Sequence, residues 1–97
     1  MLWRFTANNT HLYPGALLRS HESVGMTALS PDDELLVEFS DGVSVSGVIP
    51  AVESAGVILQ MPTYRTRGGT TVTARTWRIM AGGDPGLMRV QERLAGA

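Results

Sequence analysis

The chain has 97 residues, of which 43% are hydrophobic and 18% charged, with a formal net charge of −1 and no cysteine. That length suits one domain spanning 1–97, with a modest core that needs no staple. The lack of cysteine rules out disulfides and thiolate metal centres, and it leaves the redox compartment open.

Charge is unevenly distributed. Residues 1–61 hold Arg4 and Arg19 against seven acids and are net −5, whereas residues 62–97 hold six arginines against Asp84 and Glu92 and are net +4. Every basic residue is arginine. An acidic half and a basic half suit the two sides of a head-to-tail contact, although outward-pointing charges along strands would give a similar count.

Residues 1–30 show no steady hydrophobic period. Asn8-Asn9-Thr10 and Pro14-Gly15 punctuate them, and Ala16-Leu17-Leu18-Arg19 suits a single helical turn. A loop-rich, irregular N-terminal arm with at most one short strand or helix is predicted here, with Trp3 and Phe5 docking it on the domain or on a neighbour. Residues 1–9 turn polar before a signal-like apolar run forms, and no stretch is long enough to cross a bilayer. A cytoplasmic protein without membrane association is therefore expected.

Residues 31–97 are predicted to form a β core. Ser30-Pro31-Asp32-Asp33 has the composition of a helix start, but the strand-like Leu35, Val37 and Phe39 that follow limit it to a turn. Those three alternate with Leu36, Glu38 and Ser40, which is period two. Asp41-Gly42 suits a two-residue turn with positive φ, predicting a hairpin that buries Val37, Phe39, Val43 and Val45 on one face. Pro50 is expected to close the return strand.

A third strand at 56–61 ends at Pro62. Gly68-Gly69 marks a turn, and 70–73 with 76–80 reads as paired strands about a tight Ala74-Arg75 turn. Residues 82–86 form a loop. The alternation over 87–94 predicts a final strand, although the same residues would tolerate a helix. The sum is an all-β, mostly antiparallel domain, a barrel or sandwich of five to six strands.

No catalytic, cofactor-binding or metal-ligating residue emerges. Ser20-His21-Glu22 has the residue types of a hydrolytic triad, but adjacent residues cannot form the relay. His11, His21, Asp32 and Asp33 match no metal-ligand spacing. The glycines of 82–86 lack the strand-to-helix context of a phosphate loop. Arg65, Arg67, Arg75 and Arg78 with Tyr64 and Trp77 have the residue types of a single-strand nucleic-acid groove. The slight overall acidity argues against it. The candidate interaction residues are Asp32, Asp33 and Glu34 on one loop and Tyr64, Arg65 and Arg67 on another, placed to meet in different copies of the protein.

Two resemblances accompany this reading. Residues 37–49, with their apolar alternation, Gly42 and then Gly47, look like the first signature of Sm-like RNA-binding barrels. That resemblance implies an Sm-like or SH3-like barrel binding single-stranded RNA. Residues 43–94 are similar to the small head–tail joining and completion proteins of tailed bacteriophages. The shared features are Gly47-Val48-Ile49, the apolar run Val57-Ile58-Leu59, the Gly69-led hairpin, Trp77-Arg78-Ile79, and Asp84-Pro85-Gly86 before the closing strand. This second resemblance implies a non-enzymatic module that assembles by protein–protein contact or with itself, for instance as a ring, in a bacterial host or a virion. It implies no cofactor and no small-molecule substrate.

Overall fold

The computed structural model describes residues 1–95. Its strands are β1 (Leu2–Ala7), β2 (Leu17–Ser20), β3 (Glu34–Glu38), β4 (Ser44–Glu53), β5 (Gly56–Met61), β6 (Tyr64–Arg65), β7 (Thr71–Val72), β8 (Arg75–Ala81) and β9 (Leu87–Leu94). Among the described residues the only helical element is a 3-10 turn at Met26–Ala28.

Seven strands close a barrel in the order β1-β2-β9-β8-β5-β4-β3, and β6 and β7 form a separate two-stranded ribbon. The all-β barrel matches the sequence reading, while its strand count and uniform antiparallel order need correction. One seam, β1 against β3, is parallel, with Phe5 opposite Val37. The extra strands come from the N-terminal segment, predicted to be an irregular arm. Trp3, Phe5 and Ala7 point inward, and Leu2, Arg4 and Thr6 point outward. Phe5 is fully buried. The Ala16–Arg19 stretch expected as a helical turn lies instead in and beside β2, with Leu18 and Ser20 inside. Both segments are strands because they gain ladder partners from distant sequence: β3 for β1 and β9 for β2. Nothing local to residues 1–30 signals those partners.

The β3–β4 hairpin puts Val37, Phe39 and Val45 in the core and half-buries Val43 on the same face. Its turn differs from the predicted two-residue form. Gly42 N–H donates to the Phe39 carbonyl and Phe39 N–H to the Val43 carbonyl. Ser40, Asp41 and Gly42 thus make a three-residue loop in which Gly42 takes φ +87°. This is a type I turn closed by a left-handed glycine, a common alternative for such hairpins.

Pro50 does not end β4, which runs on to Glu53. The ladder with β5 slips between Val48 and Ala51, and that irregularity accommodates a residue with no N–H to donate. Residues 70–73 also pair differently from expectation: β7 pairs with β6, while β8 pairs with β5 and β9. The Gly68-Gly69 turn folds the ribbon back on itself, with Gly69 N–H donating to the Thr66 carbonyl. The stretch from Pro62 to Ala74 is therefore an elaborated connection of the β5–β8 hairpin. The last element is a strand, as the alternation predicted.

The barrel interior is packed with Phe5, Leu18, Leu35, Val37, Ile49, Val57, Leu59, Ile79, Met88 and Val90, all fully buried. Closure matters beyond packing, because it pairs every barrel strand on both sides and leaves the main sheet no open edge.

Candidate interaction surface

The ribbon is anchored at three points. The Tyr64 ring stacks on Phe39 at 5.1 Å between centroids and 14° between planes. Its hydroxyl donates to the Thr10 carbonyl at 3.0 Å. Arg67 donates its backbone N–H to Asp41 Oδ2 at 2.9 Å, while Asp41 Oδ1 accepts from Val43 N–H at 3.2 Å. Burial, helped by the Asp41 charge, pushes the Tyr64 phenol up to about 12. The Arg67 N–H, with the Val43 N–H behind it, holds the Asp41 carboxyl below the usual aspartate range. At the ribbon base, Ala74 N–H donates to Thr63 Oγ1 at 3.0 Å.

Tyr64 is thus an anchor, half-buried, whereas Arg65 and Arg67 are exposed. The Arg67 guanidinium leans over the hairpin loop, 3.8 Å from where a Cβ on Gly42 would stand. Arg65 and Arg67 form no ion pair among the described residues.

The acidic segment divides in two. Asp32 and Glu34 are exposed, and neither forms an ion pair among the described residues. Asp33 is only 7% exposed. Its Oδ2 accepts from the Trp3 indole at 2.9 Å and from Ser30 N–H at 3.0 Å. Those donors, the indole foremost, hold its carboxyl below the ordinary value. Asp33 is a structural link, so of the three predicted acids only Asp32 and Glu34 stay exposed. These lie at the start of β3, while Asp41, which holds Arg67, lies in the loop beyond the strand's end. The docking role expected for Trp3 and Phe5 becomes an internal one: Phe5 fills the core and Trp3 packs against it.

Two shallow clefts adjoin on the outer face. One, of about 390 Å³, is lined by Asp32, Glu34, Ser46, Val48, Gln60, Pro62 and neighbours. The other, of about 200 Å³, is lined by Arg75, Thr76, Arg93 and Leu94 and shares Gln60, Met61 and Ala74 with the first. The ladders explain this continuity. Glu34 sits opposite Val48, Val48 opposite Gln60, Gln60 opposite Thr76 and Thr76 opposite Leu94. One outward row therefore crosses five strands from Glu34 to Leu94, and Arg75 and Arg93 line the cleft beside its far end.

The residues weighed for chemistry are dispersed. Ser20 Oγ accepts N–H groups of Glu22 and Val24. His21 bonds Thr6 Oγ1 through Nε2 at 2.6 Å, and Glu22 pairs with Arg4 at 3.0 Å. Among the described residues no three His, Cys, Asp or Glu side chains converge as a metal site would require. No helix there is long and apolar enough to cross a membrane.

Sequence reasoning missed the anchors Thr10, Phe39 and Asp41 and the cleft residues Ser46, Gln60 and Arg93. Arg78, read from the sequence as one of a set of groove arginines, instead bridges Glu53 and Glu92 across β4, β8 and β9. Period two could have placed Ser46 and Gln60 outward, but only the strand order brings them to one cleft.

No family model, curated protein or solved structure matches this chain.

Proposed function

We propose that this chain is a non-enzymatic assembly module that docks through its ribbon end, in the manner of phage head–tail joining proteins. Such a module would act in the cytoplasm of a bacterial host and enter the virion. The observation that carries the reading is the contrast between the closed barrel and the β6–β7 ribbon. The barrel offers no strand edge, whereas the ribbon has open edges, a fixed base and exposed Arg65 and Arg67. A preformed element loses little conformational freedom on binding, and open edges invite strand addition by a partner.

A single-stranded RNA partner is less well supported. Base stacking needs exposed aromatic faces beside the arginines. Tyr64 is committed to Phe39, and Trp77 is buried.

The test uses the full chain and the products of neighbouring structural genes, mixed pairwise and followed by sedimentation velocity. Expected is a complex with one of them, weakened about tenfold or more by Arg65→Glu, at an unchanged melting temperature. Absence of any complex, or tight salt-sensitive binding of single-stranded RNA lost in that variant, would overturn the proposal.

A further inference from the structure

We infer that one partner of the ribbon is a second copy of this chain, and that two copies pair reciprocally, each laying its ribbon in the other's acidic cleft. This rests on the ribbon being the docking element, as proposed above. The first support is charge. The cleft of about 390 Å³ carries Asp32 and Glu34, and the ribbon carries Arg65 and Arg67. None of the four forms an ion pair within the described chain. The second is shape. The cleft lining includes the apolar Val48 and Met61, and the ribbon tip sets the small residues Thr66, Gly68, Gly69 and Thr70 around Arg67.

The third support is placement, and it fixes the symmetry. Pro62 and Ala74 line the cleft, and the same two residues flank the ribbon, β6 starting at Tyr64 and β7 ending at Val72. Each ribbon therefore rises from the rim of its own cleft. A two-fold axis beside that rim sets both ribbons over both clefts at once, so that Arg65 of each copy meets Glu34 of the other. Such an isologous contact satisfies both patches and stops at two copies. A head-to-tail ring would instead suit patches on opposite sides of the barrel. Because the charged groups are exposed, they would act chiefly on encounter rate and register, and added salt would weaken the pair.

The experiment is sedimentation of the full chain over a range of concentrations at low and high salt. Expected is a monomer–dimer equilibrium with no larger species, shifted toward monomer by salt. Arg65→Glu and Glu34→Arg should each weaken dimerisation about tenfold or more while leaving the melting temperature unchanged. Mixing the two variants should restore the dimer. The glutamate introduced at position 65 of one chain then faces the arginine introduced at position 34 of the other, and the remaining contact is native on both sides. A chain that stays monomeric at every concentration, forms rings, or dimerises equally well in all variants overturns the inference. If it is monomeric while Arg65→Glu still weakens a complex with a neighbouring gene's product, self-pairing alone has failed. If Arg65→Glu weakens neither, the docking reading fails with it.

Discussion

The Trp3 indole donates to Asp33 Oδ2 at 2.9 Å across thirty residues of sequence, and this bond fastens β1 to the turn that starts β3. Oδ2 also receives Ser30 N–H, so one buried carboxylate ties the parallel seam to the loop before it. Removing a buried acceptor leaves its donors without partners, which costs more than losing an exposed group. Asp33→Ala should therefore lower the melting temperature clearly more than Glu34→Ala, since Glu34 is exposed. Equal melting temperatures would contradict the role given to this link.

Acid should loosen the fold through the same kind of group. Asp33 and Asp41 both have folded values held below the ordinary 3.8. The unfolded chain therefore takes up these protons at higher pH than the folded one. Their contribution is fully present above about 3.8 and is lost as pH falls through the lower folded values. Urea denaturation between pH 5 and pH 2 should show stability falling in that window. The fall should be shallower for Asp41→Asn, which cannot titrate.

The alkaline side reports on the ribbon anchor. Tyr64 has a phenol raised from 10.0 to about 12, by burial first and Asp41 second. A raised value means that its contribution is intact below 10.0 and is lost as pH rises toward 12. Absorbance at the tyrosinate band should show a late step near 12 that Tyr64→Phe removes. A wild-type titration with no step later than the ordinary 10.0 would show that Tyr64 is not buried against Phe39.

At the hairpin turn Gly42 takes φ +87°. A β-branched residue there is strained whatever the space around it, so Gly42→Val should cost about 1 kcal/mol or more. Thermal melts decide this, and an unchanged midpoint would argue against the three-residue loop.

Gly56 opens β5 where the backbone of β8 comes close, and a Cβ on it would run into the Ile79 carbonyl oxygen. Backbone cannot move aside as a flexible side chain can. Gly56→Ala should therefore cost about 1–3 kcal/mol by overpacking. Gly25→Ala, where a Cβ would meet nothing within 4 Å, is the control and should melt close to wild type.

What the sequence determined was local. Alternation at Leu35, Val37 and Phe39, the Asp41-Gly42 turn and the run at Val57-Ile58-Leu59 specify the β3–β4 hairpin, β5 and the all-β class. A period of two needs only neighbours in the chain to be visible. What only the tertiary structure decided was who pairs with whom. β1 becomes a strand because β3 lies beside it, and Pro50 is tolerated because the ladder slips there. The candidate surface is of the second kind. Arg65 and Glu34 are legible as charged residues. That Asp33 turns inward to Trp3, that Tyr64 is spent on Phe39, and that Pro62 and Ala74 join ribbon to cleft follow from barrel closure. Those are contacts between residues far apart in sequence, held by packing that no local pattern encodes.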